Sequence, residues 1–455
     1  MNVAVRGLLP LVAFAITLAL APFSMGAAVG AAGIGFLVAC VLPGQRTPSR
    51  VVSLEALAWI GLAGYSLALP IHQLAFGDYD PNAVRVAFEL SVAAAGGLGV
   101  GLLVAHLVNP RTGAAGTAEP PWDRYAVIGW VIFGIGMASA FLAVTATVGF
   151  HAYLTAGYAG RVLLKRAAGP VELGLYHAVV GLLFVLLARM KTRRVRRRLS
   201  PYRLLLFISL WTICLTFVLY VSFLGIRRPS FFLFLSAVLL FGVAGRGYSK
   251  LQLAMVVPAF LGFSLFANFR QVLSDQGWAA AGDFIKQNFS YAWFDLSKSE
   301  LGAPYRSVMD VLTTWTHEPL RLGATFLEAI PYALPSALGL PVTSLSQEYT
   351  TRNFSQAFIA IGGNMGFSPV AEGYLNYGAI GVVAYFVVVG YFIARVQSKA
   401  LERGLPFDLI AFAIAGPWLI FWLRTDLASF LKTFVYSVAA PLLLAAALNS
   451  LLKRT

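Results

Sequence analysis

Long apolar runs recur along most of the sequence and constrain its fold more than any other feature. Most of them contain about 17 to 25 apolar residues, the length at which an α-helix crosses about 30 Å of hydrocarbon. Transmembrane β-strands would instead give shorter segments of alternating hydrophobicity. A helix also satisfies its own backbone hydrogen bonds in lipid. The sequence therefore predicts an all-α polytopic membrane protein.

Composition excludes a soluble globular protein. The 455 residues are 59% hydrophobic and 12% charged, whereas soluble domains are about 45 to 50% apolar. Cys40 and Cys214 lie inside apolar runs, so we expect neither a disulfide framework nor a cysteine metal site. The net charge of +15 is explained by cytoplasmic loops rich in Lys and Arg. We expect no nucleic acid partner.

The apolar runs divide the chain into three parts. About twelve spans are expected, with nine in residues 1–267 and three in residues 372–455, separated by one large loop at 268–371. The spans are placed at 7–22, 25–42, 51–69, 83–107, 125–148, 171–189, 204–223, 230–244, 251–267, 372–394, 408–423 and 428–449.

The distribution of Lys and Arg predicts the orientation of the chain in the membrane. Eight cations between Arg189 and Arg203 surround one short connection, which should be cytoplasmic by the positive-inside rule. Alternation then places both termini in the cytoplasm and the 268–371 loop on the outer side. An alternative is a cleavable signal peptide, with Arg6 before an apolar stretch and Ala19-Leu20-Ala21 at its end. Its removal would leave the remaining topology unchanged.

Arginines on the predicted outer face are not explained by the positive-inside rule. Arg227 and Arg228 form a tight turn between two spans, and Arg270 directly follows a span. The planar guanidinium matches phosphate better than an ammonium does, which suggests a phosphate-bearing lipid as ligand. Snorkelling side chains that anchor helix ends are the alternative. Arg424 also has two interpretations. It could bind a phosphate, or its charge could be neutralised by Asp426, which lies two residues away.

The large loop contains further polar candidates. Apolar spacing from Val308 to Leu334 predicts two short helices interrupted by Pro319, with Arg321 and Glu328 both in the second. His317 has the ordinary pKa of a general base, although an exposed histidine is more often only solvated. The Asp78-Tyr79-Asp80 segment could hold a divalent cation, but Asp80-Pro81-Asn82 is typical turn chemistry. We expect no bound metal and no cofactor.

The most distinctive passage runs from Arg352 to Gly378. Ser368 can cap a helix that has Pro369 at its first position and Glu372 in its first turn, where a carboxylate meets the positive helix end. Capping alone would explain all three residues. It leaves open why a glycine-rich loop brings backbone so close to an ionisable group at the mouth of the bundle.

These patterns resemble the Wzy-type O-antigen polymerases, a family of membrane glycosyltransferases that join oligosaccharide repeat units. The resemblance is carried by Gly363 to Gly378, by Gly225-Ile226-Arg227-Arg228, by Ile330-Pro331 and by Arg424-Thr425-Asp426. Asn364 departs from the pattern where a further glycine is expected. The tight turn also has two arginines where one would suffice.

The resemblance implies a GT-C-like fold in the bacterial inner membrane. Such an enzyme transfers a growing glycan from undecaprenyl pyrophosphate to a lipid-linked repeat unit at the periplasmic face. It implies an undecaprenyl-pyrophosphate-linked oligosaccharide, membrane lipids, a chain-length regulator and a flippase as partners.

Glycosyl transfer from a pyrophosphate needs a stabilised leaving group and a base. We assign the first role to Arg227, Arg228, Arg270, Arg321, Arg352 and Arg424. We assign the second to Glu372, with His317 or Glu328 as substitutes, and expect no metal. Two alternatives are an O-antigen ligase-like glycosyltransferase, which would differ in its acceptor, and a lipid-linked oligosaccharide flippase or transporter.

Overall fold

The computed structural model describes residues 3–41, 53–108, 120–147, 161–192, 228–244, 302–334, 342–356 and 366–454, with a few isolated positions besides. Every regular element in these ranges is a helix, which confirms the all-α class. The spans predicted at 204–223 and 251–267 lie outside the described residues, as do Arg227 and Arg270.

The first seven helices are α1 (Val3–Leu20), α2 (Met25–Val41), α3 (Leu54–Phe76), α4 (Pro81–Val108), α5 (Trp122–Thr147), α6 (Arg161–Thr192) and α7 (Arg228–Ala244). Three short helices follow, α8 (Gly302–Thr314), α9 (Ala324–Ala333) and α10 (Leu345–Asn353). The last are α11 (Pro369–Arg403), α12 (Pro406–Trp422), α13 (Leu427–Phe434), a π-helical turn (Val435–Ala439) and α14 (Ala440–Arg454).

Several helices have the length and composition of membrane spans. Among the described residues six qualify, at Leu54–Phe76, Pro81–Val108, Trp122–Thr147, Pro170–Thr192, Pro369–Arg403 and Leu427–Lys453. Four shorter apolar helices lie at Leu8–Leu20, Met25–Cys40, Arg228–Ala244 and Pro406–Trp422. Each falls where the sequence predicted a span. The total of about twelve and the GT-C-like arrangement remain predictions.

The chain divides into two compact units. The first contains residues 1–116, 291–403 and 418–433. Within it, α4 and α11 run parallel and meet through glycines. A Cβ at Gly101 would lie 2.1 Å from the carbonyl oxygen of Val387, and one at Gly97 would lie 2.5 Å from that of Val383. Only glycine permits this approach of two backbones, the usual device of tightly packed helices in membranes.

The second unit contains residues 117–290, 404–417 and 434–455. Its helices α5 and α6 are antiparallel and also pack through glycines. A Cβ at Gly136 would lie 2.4 Å from the amide nitrogen of Ala178, and one at Gly181 would lie 2.5 Å from that of Phe133. The close contact leaves the middle of α6 fully buried.

The predicted start of α11 is confirmed. Ser368 accepts a hydrogen bond from the Val370 backbone N–H on its side-chain oxygen, at 3.1 Å, and one from that of Glu372 on its carbonyl, at 3.0 Å. Pro369 is the first helical residue and Glu372 lies in the first turn. The cap therefore fixes the position of the Glu372 side chain in the first turn of α11.

Candidate functional site

A break in α11 creates the docking position for the turn before α9. Tyr377 (φ −142°, ψ 25°) and Gly378 (φ 63°, ψ −152°) are non-helical, which divides α11 into two segments. The carbonyl of Leu375 accepts a hydrogen bond from the Arg321 backbone N–H at 2.9 Å, and the carbonyl of Asn376 accepts one from that of Leu322 at 3.1 Å. The break thus frees two carbonyls that hold this turn beside α11.

The turn itself corrects one sequence prediction. Arg321 was expected inside the second short helix with Glu328, but α9 begins only at Ala324. Leu322 (φ 47°) and Gly323 (φ 88°) both adopt left-handed backbone conformations that cannot continue an α-helix. Arg321 therefore lies in the turn and Glu328 in α9. No strong sequence signal indicates this turn, because a leucine in the left-handed region is rare.

Glu372 is fully buried and is held by three elements. Its Oε1 accepts a hydrogen bond from Thr325 Oγ1 at 3.2 Å, and its Oε2 accepts one from the Leu427 backbone N–H at 2.7 Å. Asn376 Nδ2 donates to Thr325 Oγ1 at 2.7 Å, while Asn376 Oδ1 accepts from the Gly323 N–H at 3.0 Å. Helices α9, α11 and α13 together fix the orientation of this carboxylate.

A second carboxylate, Asp426, lies at the same helix end. It is also fully buried, and its Oδ2 accepts a hydrogen bond from the Ser429 backbone N–H at 3.3 Å, which caps α13. Its Oδ1 accepts from the backbone N–H and the hydroxyl of Ser346. The positive end of α13 thus faces both Asp426 and Glu372. From its sequence position, Asp426 was predicted only as a partner of Arg424.

The two carboxylates line a polar cavity of about 250 Å³. Small-molecule pockets are usually about 300 to 1,000 Å³, so the volume of this cavity is close to the lower end of that range. Its lining consists of Arg321, Thr325, Glu328, Thr343, Leu345, Glu348, Glu372, Asp426 and Ala428. A hydroxyl placed here would have a carboxylate available to take its proton.

Two predicted phosphate-binding arginines form an ion-pair network at the rim. Arg321 donates two parallel hydrogen bonds to Glu348, at 2.9 and 2.8 Å, and a third to Glu318 at 3.3 Å. Arg352 donates to both Glu318 and Glu348. The guanidinium carbons lie 5.5 Å (Arg321) and 4.5 Å (Arg352) from the ring centre of Trp315. We name these five residues the rim cluster.

Charge pairing in the rim cluster shifts the pKa values of Glu318 and Arg321. The Arg352 guanidinium, helped by Arg321, lowers the pKa of Glu318 below its ordinary value. The hydrogen bonds from Arg321 to Glu348 raise the pKa of Arg321 further. Both shifts favour the charged forms of Glu318 and Arg321 at neutral pH.

The remaining residues predicted for the site do not all lie at this cavity. Glu328 is exposed and lines the cavity, whereas His317 is exposed and is not among the lining residues. Arg424 is half-buried, and its carbonyl would lie 2.3 Å from a Cβ at Gly366. Arg228 is exposed at the first position of α7, in the second unit.

The Asp78-Tyr79-Asp80 segment has structural roles. Asp78 Oδ2 lies 3.1 Å from His72 Nε2. Asp80 caps α4 by accepting hydrogen bonds from the backbone N–H groups of Asn82, at 3.1 Å on its side chain, and Val84, at 3.0 Å on its carbonyl. Within the described part of the chain, no three His, Cys, Asp or Glu side chains are placed to hold a metal ion.

Comparison with known proteins identifies the C-terminal part of the chain. Residues 321–455 match the family model of the O-antigen polysaccharide polymerase Wzy. Comparison with curated proteins and with solved structures gave no match. The match begins at Arg321 and spans Glu372 and Asp426, and over this part of the chain it supports the resemblance expected from the sequence.

Proposed function

We propose, from the match of residues 321–455 to the Wzy-type polymerase family, that this chain extends a bacterial polysaccharide. It transfers a growing glycan from undecaprenyl pyrophosphate to the non-reducing end of a lipid-linked repeat unit. The reaction takes place at the periplasmic face of the inner membrane, and the cavity beside Glu372 receives the acceptor hydroxyl.

The observation that carries this proposal is the environment of Glu372. It is a fully buried carboxylate that lines a polar cavity, and hydrogen bonds from Thr325 and Leu427 fix its orientation. As the acceptor oxygen attacks the anomeric carbon, its proton passes to Glu372. The bond between that carbon and the diphosphate oxygen breaks, and the diphosphate leaves with the bonding electrons.

Glu372 is a better base than the other two candidates for geometric reasons. Glu328 is exposed, so its side chain has more conformational freedom and its charge is screened by solvent. His317 is exposed and is not among the cavity-lining residues. A general base must lie within hydrogen-bond reach of the proton it removes, and Glu372 is fixed where a hydroxyl in the cavity meets that condition.

Arginines stabilise the departing diphosphate in this mechanism. Arg321 lines the cavity and Arg352 lies next to it in the rim cluster. Arg424 lies in the turn that leads to Asp426. Arg228 joins them in the proposal, together with Arg227 and Arg270 from outside the described residues. A guanidinium contact made in the transition state is worth about 2.7 to 4 kcal/mol, or about 100- to 1,000-fold in rate.

In vitro chain extension tests the proposal. Purified protein in lipid nanodiscs is supplied with lipid-linked repeat units, and glycan length is measured for wild type, Glu372→Gln and Arg228→Ala. We expect both variants to lose extension. Full extension by both would remove the site assignment. Transfer of glycan only to an acceptor other than a lipid-linked repeat unit would indicate a ligase.

Thiol labelling tests the location. With Cys40 and Cys214 replaced by alanine, a His317→Cys variant gives one exposed thiol in the segment between α8 and α9. We expect a membrane-impermeant maleimide to label it in cells with a permeabilised outer membrane and an intact inner membrane. Labelling only after the inner membrane is disrupted would place the site in the cytosol and end the proposal.

A further inference from the structure

The rim cluster pairs each arginine with carboxylates of the same chain. Arg321 meets Glu348 in the two-pronged geometry with which arginine also binds phosphate. Arg352 shares the same two carboxylates, Glu318 and Glu348. The positions that a phosphate would occupy around these guanidinium groups are therefore taken by internal anions.

The cluster lies at a level where lipid headgroups are expected. The backbone of Arg321 is hydrogen-bonded to that of Leu375, two turns into the candidate membrane span of α11. Its neighbours Leu320 and Leu322 are 50% and 70% exposed, and Leu327 on α9 is 71% exposed. Exposed leucines on both sides of an arginine suit a position at the boundary between hydrocarbon and headgroups.

An unpaired arginine at that boundary would have many competitors. Each anionic phospholipid presents a phosphodiester with one negative charge, at a local concentration far above that of any lipid-linked substrate. Guanidinium groups bind such oxygens readily. A site built from bare arginines would therefore be occupied by bulk lipid.

We propose that Glu348 and Glu318 are specificity-determining residues that reserve Arg321 and Arg352 for a lipid-borne diphosphate. This inference rests on the proposed function. A phosphodiester offers one charge and cannot displace a carboxylate already bound through two hydrogen bonds. A diphosphate offers more charge and more acceptor oxygens, spans both guanidinium groups and displaces the carboxylates. Trp315 is 4% exposed and contacts both guanidinium groups, so it keeps them in place during the exchange.

Binding measurements in two bilayers test the proposal. Full-length wild type and Glu348→Gln are placed in nanodiscs of phosphatidylcholine or of phosphatidylcholine with phosphatidylglycerol, and the Kd of inorganic pyrophosphate is measured by calorimetry. In phosphatidylcholine we expect Glu348→Gln to bind about 10-fold more tightly, the scale of one lost charge-assisted competitor. With phosphatidylglycerol this gain should disappear, because headgroups occupy the released arginine.

Phosphatidylglycerol also repels pyrophosphate from every variant, so the quantity compared is the ratio of variant to wild type within each bilayer. Glu328→Gln is the matched control, because it removes one carboxylate from the same cavity outside the rim cluster. We expect no comparable gain from it. An equal gain in Glu328→Gln, no gain in Glu348→Gln, or a gain that persists in phosphatidylglycerol would each overturn the proposal.

Two further measurements complete the test. If Glu348→Gln fails to fold, Glu318→Gln removes one of the two carboxylates that bind Arg352 and carries the same expectation. Farnesyl pyrophosphate in the same discs distinguishes the source of the diphosphate. Tighter binding of this prenyl diphosphate than of inorganic pyrophosphate supports a lipid-borne ligand, and equal binding would refute it. None of these measurements needs turnover, so a failure of the Glu372 assignment would be seen separately in chain extension.

Discussion

The backbone N–H of Leu427 donates a 2.7 Å hydrogen bond to Oε2 of Glu372. This contact joins the first residue of α13 to the first turn of α11. Because the N-terminal N–H groups of a helix have no partner within the helix, α13 needs an acceptor at this point. Glu372 supplies it, and in return its carboxylate is directed toward the cavity rather than toward its own helix.

Replacing Glu372 with glutamine removes the negative charge and keeps the shape of the side chain. Glutamine keeps an oxygen that accepts from Leu427, so we expect the variant to fold. It cannot take up a proton from the acceptor, and extension should fall about 100- to 10,000-fold, the usual contribution of a general base. Initial rates with lipid-linked repeat units measure the loss. A larger loss in Glu328→Gln, with Glu372→Gln near wild type, would transfer the role to Glu328.

Thr325 is expected to position this base without touching substrate. Its hydroxyl accepts from Asn376 and donates to Glu372, and Thr325→Val removes both contacts while keeping the side-chain shape. We expect kcat to fall about 10-fold or more, since a misplaced catalytic group is costly, with KM little changed. Thr325→Ser retains the hydroxyl and should restore the rate. Equal rates in the valine and serine variants would show that the hydrogen bonds are irrelevant to activity.

The membrane-spanning helices were predictable because each one is a long run of apolar residues that can be recognised within its own segment of the sequence. Glu372 was predictable for a related reason, since Ser368, Pro369 and Glu372 follow one another in a recognisable helix start. The residues that form hydrogen bonds with Glu372 were not predictable. Thr325 and Leu427 come from α9 and α13, distant in sequence, and only the folded chain shows that these helices meet at α11.

The rim cluster had a sequence signal that was not used. Glu348 and Arg352 are four residues apart on one helix, and Glu318 and Arg321 are three apart, spacings at which opposite charges pair. Reading both arginines only as phosphate ligands overlooked these partners. The convergence of the two pairs on Trp315 depends on tertiary packing and could not be derived from spacing.

Glycine packing between α4 and α11 should be essential for the first unit. A Cβ at Gly101 would lie 2.1 Å from the Val387 carbonyl oxygen, so Gly101→Ala must push the helices apart, at about 1 to 3 kcal/mol. The matched control is Gly96→Ala on the same helix, where a Cβ has no neighbour within 4 Å. Thermal unfolding in detergent should show a lower Tm for Gly101→Ala alone. Similar Tm values would contradict the parallel contact described above.

The rim cluster should make stability depend on pH through Glu318. Its pKa is lowered in the folded protein by Arg352 and Arg321, from an ordinary value of 4.5. A group whose folded pKa is depressed stabilises the fold above its unfolded pKa, and this contribution is lost as pH falls through the folded pKa. Wild type should therefore have a higher Tm than Glu318→Gln at pH 7, and the difference should shrink as pH drops below 4.5. Because Glu318 is 31% exposed, solvent screening keeps the effect modest. Thermal scans of both proteins across this range measure it, and a difference that is independent of pH would mean that Glu318 contributes through packing rather than through its charge.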